Sequence, residues 1–178
     1  VHDAVYDAFV PRLVERLRRL RMSAALDFTA DMGSLIGGDQ LTKVTDHVQD
    51  AVDKGAEVLV GGRARTDIGP YFFEATLLSG VTEEMTVCRE ETFGPVASVY
   101  RCSSVDEMVA RADDTVYGLS ASVWTRDARA GRRIAERLQC GGVNINDAYA
   151  AAWASASPMG GSKAAGLGRR HGRAGLLR

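Results

Sequence analysis

From Val96 onward the chain alternates strand, helix, strand, helix, strand, and this rhythm restricts the fold more than any other feature. Val96 to Cys102 reads as a strand rich in β-forming residues. Ser104 then opens a helix, with Glu107 three residues on as the second half of a capping box. Leu119 to Thr125 is the next strand. Asp127 begins a helix that carries Ala130, Ile134, Ala135 and Leu138 on one face. Gly141-Gly142 break that helix, and Val143 to Ile145 form a third strand. A helix between two strands returns the chain to the same end of a sheet. The spacing therefore predicts parallel pairing with right-handed crossovers, the α/β class.

The upstream half has a different pattern. The first twenty residues read as a helix capped by Asp3, with Val5, Phe9, Leu13, Leu17 and Leu20 inward. Residues 23 to 38 read as loop. Asp39 is expected to cap a second amphipathic helix with Leu41, Val44, Val48, Ala51 and Val52 inward, ended by Gly55. Glu57 to Val60 reads as a short strand stopped by Gly61-Gly62, and Phe72 to Leu78 as a second extended segment. No repeat of solenoid period or low-complexity linker interrupts the chain, so residues 1–178 are expected to form one domain.

Composition removes several function classes. The 178 residues suffice for a substantial core, and 46% hydrophobic with 25% charged residues is ordinary for a globular chain. A net charge of −1 gives no reason to expect nucleic acid or an anionic membrane as partner. Arg12, Arg16, Arg18 and Arg19 make one face of the first helix cationic, but with Glu15 beside them a solvated face is the ordinary explanation. No run of about 18 apolar residues occurs. No export leader is evident, and Cys88, Cys102 and Cys140 show no CxxC spacing, so a reducing cytoplasm is expected. His2, His47 and His171 lack metal-ligand spacing, so no metal site is expected.

Two segments carry chemistry. In Glu90-Glu91-Thr92-Phe93-Gly94-Pro95-Val96, Gly94 permits a turn and Pro95 stiffens it. A carboxylate and an aromatic ring are then held toward one space. A carboxylate can accept two hydroxyl hydrogen bonds, as a ribose diol offers, and the ring gives a flat apolar wall. Taken on the residues alone, surface acids at Glu90 and Glu91 and a core phenylalanine at Phe93 are the ordinary explanation of the segment. The second is Pro158-Met159-Gly160-Gly161-Ser162-Lys163-Ala164-Ala165-Gly166-Leu167-Gly168-Arg169. It is no dinucleotide fingerprint, because its glycines run GxGxxxG with no preceding strand, and Gly160-Gly161-Ser162-Lys163 lacks the glycine spacing of a phosphate loop.

The two segments, in this order and with βαβ units between them, resemble the C-terminal part of an aldehyde dehydrogenase. The resemblance spans nearly the whole chain. It implies that Glu91 binds the nicotinamide ribose and Phe93 lines the nicotinamide pocket. Gly33 to Lys43 resembles the start of a family helix, which implies that Gln40 and Lys43 lie near the same ribose; for Lys43 a solvated helix lysine is an equal alternative. The tail resembles the family's PxGGxKxSGxGR, with Ala165 in place of serine and Met159 where an aromatic is common. Met159 would then shape the substrate tunnel. The preceding loop, Asp147 to Ser157, borders the aldehyde entry in the family, which implies tunnel roles for Trp153, Ser155 and Ser157 and leaves Tyr149 nearby; simple packing of Trp153 is the alternative.

The family oxidises aldehydes through a cysteine thiohemiacetal that gives hydride to NAD or NADP. Cys88, Cys102 and Cys140 are all misplaced for that nucleophile, which precedes the Glu91 motif by a wide margin in the family. The helix from Val5 to Leu20 resembles the segment after the nucleophile strand. The nucleophilic cysteine, the general-base glutamate and the Rossmann cofactor domain are therefore expected upstream of Val1, in a longer parent that is a homo-oligomer acting on a small aldehyde. The chain alone is expected to be inactive. Asp113-Asp114-Thr115-Val116-Tyr117-Gly118-Leu119 with Lys163-Ala164-Ala165-Gly166-Leu167-Gly168-Arg169-Arg170 is similar to the succinate-semialdehyde dehydrogenase branch. The competing class is a non-enzymatic α/β binding or assembly module, whose discriminating sign is a native product of this length.

Overall fold

The amphipathic patterns build two helices at the start of the chain, α1 (Asp3–Arg18) and α2 (Gly38–Asp53). The computed structural model describes residues 1–148 and 150–176. Tyr149 and Arg178 lie outside the described residues. The chain divides into two compact units, Val1–Cys102 and Ser103–Arg178.

In the first unit, α1 and α2 are followed by β1 (Glu57–Val60), β2 (Thr76–Ser79), α3 (Thr86–Arg89) and β3 (Val96–Val99). The strands form one sheet in the order β1-β2-β3. β1 runs antiparallel to β2, and β2 runs parallel to β3 with Leu77 opposite Ala97. Leu77 and Val99 pack with Val10 of α1. Ala51, Leu78, Val81 and Met85 form a second cluster, and Val44, Val48 and Phe73 a third. Each fully buried aliphatic or aromatic side chain here contributes about 1.5–3 kcal/mol.

Both caps differ from expectation. His2, not Asp3, caps α1: its Nδ1 accepts from the Ala4 backbone N–H at 3.1 Å, and Asp3 stands in the first turn. Asp3 instead pairs with Arg101, as does Asp7. Gly37 is the N-cap of α2 without a side-chain hydrogen bond, and Asp39 sits in the first turn, where a negative charge favours the helix dipole. The buried face of α2 is Val44, His47, Val48 and Ala51; Val52 is 40% exposed. Pro11 sits inside α1 without ending it.

The second unit contains α4 (Val105–Asp113), β4 (Tyr117–Gly118), β5 (Ser120–Val123), α5 (Ala128–Ala135), β6 (Gly142–Ile145), α6 (Ala150–Trp153), β7 (Ser162–Lys163) and α7 (Gly172–Leu176). Here the N-caps are the expected residues, although the Glu107 carboxylate accepts from Ser103 N–H at 2.7 Å, one residue before the cap, and so does not complete the capping box. The Ser104 hydroxyl accepts from Glu107 N–H at 3.1 Å, and the Asp127 carboxylate accepts from Arg129 and Ala130 N–H. β5 and β6 pair in parallel with α5 between them, which is the βαβ unit the rhythm predicts. β3, the first strand of that rhythm, is bonded to β2, an element the rhythm did not include. Local patterning specifies that a strand exists; its neighbour depends on contacts distant in sequence.

Candidate functional site

The loop from Glu90 to Pro95 joins α3 to β3, and α2 lies directly beneath it. Gln40, Val44 and His47 fall at positions i, i+4 and i+7, so one helix face meets the loop three times. At the first contact, the Gln40 amide nitrogen donates to the Thr92 carbonyl at 2.6 Å and to the Phe93 carbonyl at 2.9 Å. At the second, the chain touches Val44 so closely that a Cβ on Gly94 would lie 2.4 Å from Val44 Cγ2. At the third, His47 Nδ1 lies 3.1 Å from Thr92 Oγ1. Beyond Gly94 a three-residue turn brings Val96 N–H to the Gly94 carbonyl at 2.8 Å. Thr76 N–H donates to the Pro95 carbonyl at 2.7 Å and ties the turn to the sheet.

The result is an alternation of side chains. Thr92 is buried (8% exposed), while Glu91 and Phe93 on either side point outward, Phe93 74% exposed. Phe93 takes a φ of 52°, a left-handed conformation costing roughly 1–2 kcal/mol for a residue with a Cβ. Two carbonyl hydrogen bonds from Gln40, each contributing about 1 kcal/mol, offset that strain. Glu91 has no hydrogen-bond partner among the described residues, so both carboxylate oxygens can accept. Two carboxylate acceptor oxygens beside an exposed ring can receive a group that carries two hydroxyls and a flat face.

His47 is 5% exposed. Burial, and then the positive charge of Lys43, push its pKa below the usual 6.5, while Glu90, Asp50 and Asp46 pull the other way. Glu90 Oε2 lies 3.8 Å from His47 Nε2, but that carboxylate is largely in solvent and its pull does not outweigh burial. The imidazole is therefore neutral near pH 7. Lys43 itself is half-buried on the same helix. Of the four cofactor residues expected from the resemblance, Glu91 and Phe93 flank the buried Thr92, Gln40 grips the loop backbone, and Lys43 supplies charge to the same helix face. Neither His47 nor Thr92 was anticipated. The signal was present in the spacing: His47 stands seven residues after Gln40 and four after Lys43.

The residues that the resemblance assigns to a substrate tunnel belong to the second unit. Trp153 is 82% exposed at the end of α6, and Ser155 and Ser157 are exposed. Met159 is half-buried, and its backbone exchanges two hydrogen bonds of 2.7 Å with Arg170, whose Nη2 also reaches Met159 Sδ at 3.1 Å. Lys163, at a φ of 54°, donates its ammonium to the carbonyls of Asp113 and Thr115 at 2.9 and 3.3 Å. Lys163 also pairs with Tyr117 across β4–β7, so the two branch-like stretches are bonded to each other. The tail backbone is closely stacked: a Cβ on Gly141 would fall 1.6 Å from the Gly160 carbonyl oxygen, and one on Gly160 2.0 Å from that of Gly168. Arg169 Nη1 closes the turn on the carbonyls of Gly161 and Gly168.

The cysteines lack the surroundings of a nucleophile. Cys102 is buried, and Cys88 packs against a core cluster and accepts from Tyr100 Oη at 3.8 Å. The Cys140 thiol donates to the Gly142 carbonyl at 3.3 Å, and burial raises its pKa, which suppresses the thiolate. Among the described residues no group of three His, Cys, Asp or Glu side chains could hold a metal, and no helix is long and apolar enough to cross a membrane.

The chain is similar to known proteins along its whole length. A provisionally named succinate-semialdehyde dehydrogenase (NADP+) of Mycolicibacterium smegmatis is 53% identical over 179 aligned residues, covering 100% of this chain and 35% of that protein. The crystal structure of succinate-semialdehyde dehydrogenase from Burkholderia pseudomallei superposes with a TM-score of 0.92 at 39% identity, over 99% of this chain and 36% of that one. Betaine aldehyde dehydrogenase of Staphylococcus aureus, solved in complex with NAD+, gives the same TM-score at 31% identity, over 99% and 35%. The chain thus spans about a third of the length of these relatives. The model of the aldehyde dehydrogenase family matches residues 1–178, and the chain belongs to that family.

Proposed function

We propose that the chain is part of an NAD(P)-dependent aldehyde dehydrogenase that oxidises a small aldehyde, succinate semialdehyde in the first instance, to its carboxylic acid. The carrying observation is the outward presentation of Glu91 and Phe93 from a loop whose backbone is fixed by α2. In this role Glu91 accepts from the two hydroxyls of the nicotinamide ribose, and Phe93 walls one side of the ring. Lys43 adds a positive charge beside the same ribose. Gln40 acts through the loop backbone, because both of its observed hydrogen bonds are to loop carbonyls. The nicotinamide, when bound, accepts the hydride. Trp153, Ser155, Ser157 and Met159 would line the aldehyde tunnel, with the serine hydroxyls available to a polar substrate end. The semialdehyde choice is supported by the names of the relatives in Mycolicibacterium smegmatis and Burkholderia pseudomallei. Both compact units would belong to the catalytic part of the longer protein.

No cysteine of this chain suits nucleophilic attack, so a thiolate and a general-base glutamate would come from the sequence before Val1. The test is Glu91→Gln in the full-length protein. Loss of one charged ribose contact should cost about 1–3 kcal/mol and lower both dinucleotide affinity and rate. Unaltered affinity and rate would remove Glu91 from the site.

A further inference from the structure

We propose that His47 is a positioning residue for the dinucleotide site, acting through Thr92 to hold Glu91 and Phe93 outward. The inference rests on the proposed role of Glu91 and Phe93 and goes beyond it, because His47 and Thr92 touch neither ribose nor ring in that role.

Thr92 is the hinge point of the loop: its side chain faces inward while its two neighbours face outward. Gln40 fixes the Thr92 and Phe93 carbonyls, but both of its bonds are to backbone, and backbone bonds alone leave the Thr92 side chain unspecified. The hydroxyl of Thr92, buried at 8% exposure, needs a partner, and His47 Nδ1 at 3.1 Å supplies it. The Nε2 edge of the ring faces the Glu90 carboxylate at 3.8 Å. That carboxylate favours the tautomer with hydrogen on Nε2, which leaves Nδ1 as acceptor and makes the Thr92 hydroxyl the donor. A neutral, buried imidazole is fitted to this task, since it offers one donor and one acceptor on opposite edges. Without His47 the Thr92 hydroxyl would be buried unpaired, and the alternative open to the loop is to turn Thr92 out and Phe93 or Glu91 in.

The experiment uses the full-length dehydrogenase that carries this sequence, assayed with NADP+ and with NAD+. His47→Ala and Thr92→Val should each raise KM for the dinucleotide and lower kcat, together by about tenfold in kcat/KM, while KM for the aldehyde stays within about twofold. The double variant should be no worse than the poorer single one, because both remove the same bond. His47→Asn, which returns a polar atom near the Nδ1 position, should recover most of the loss. Thr92→Val is nearly isosteric and carries the test if His47→Ala does not fold. Losses that multiply in the double variant, or a lower melting temperature with unchanged kinetic constants, would overturn the proposal. Glu91→Gln, run in parallel, separates the two ideas. If it has no effect, the ribose assignment fails; if it impairs the enzyme and the His47 and Thr92 variants do not, only the positioning role fails.

Discussion

Replacing Gly94 by alanine would put a methyl group 2.4 Å from Val44 Cγ2, and that valine cannot retreat. It is fully buried and β-branched, so its χ1 is confined within a helix. Overpacking of this kind should cost about 1–3 kcal/mol, read as a lower melting temperature of the full-length protein. Val44→Ala should restore part of that loss in the double variant, and a Gly94→Ala protein as stable as the original would show that the loop is not pressed onto α2. At this scale the sequence was partly legible. Glycine at position 94 was recognisable as a turn requirement, and Glu91 and Phe93 as a carboxylate and a ring held toward one space; a core place for Phe93 was the alternative, and it is 74% exposed. The inward side chain of Thr92 was not recognisable, because nothing in the sequence says which residue of this loop faces the helix beneath it. Nor was the cap at His2, where an imidazole takes the place commonly held by Ser, Thr, Asp or Asn.

The helix α2 links the loop to the core, and its titrating groups connect stability to pH. His47 is held below its usual 6.5, so the unfolded chain binds more protons than the folded one once pH drops under that value. Stability is full above pH 6.5 and declines as pH falls toward the folded value; His47→Asn should flatten that limb of a melting-temperature profile. An unchanged profile would mean that the imidazole is solvated in the folded state. Asp50, later in the helix, accepts from Thr86 N–H at 2.8 Å and pairs with Lys54, which lowers its pKa to about 2. Its contribution is present above 3.8 and is lost as pH falls toward about 2, so Asp50→Asn should lessen the acid sensitivity of unfolding at the α2–α3 junction. Among the helices, α4 and α5 were legible to the cap, because Ser104 and Asp127 bond their own helix turns. α2 was legible in period, but its buried face includes His47 and leaves Val52 exposed. A histidine counts as polar in a sequence pattern, although a neutral ring with a partner packs well.

For the molecule as a whole, the thiols decide what can be assayed. Cys88, Cys102 and Cys140 are packed or raised in pKa, so this chain by itself should not turn over aldehyde with NAD+ or NADP+. Dinucleotide-dependent oxidation by the isolated chain that disappears in any one of the Cys→Ser variants would contradict the assignment of all three as structural. The parallel β5–β6 unit and the family motifs were visible in the sequence. The pairing of β3 with β2 was not, since Phe72 to Leu78 has the composition of a strand but no period that reveals its neighbour. Under the proposed function, the glycine backbones of the tail bear on how substrate choice could be changed. At Gly141 and Gly160 a methyl group would strike main-chain oxygen rather than a movable side chain, so the path of the chain there cannot drift by small steps. Directed evolution would gain nothing from diversity at those positions. Libraries confined to Trp153, Ser155, Ser157 and Met159 would vary what the frame presents and leave the frame itself as it stands.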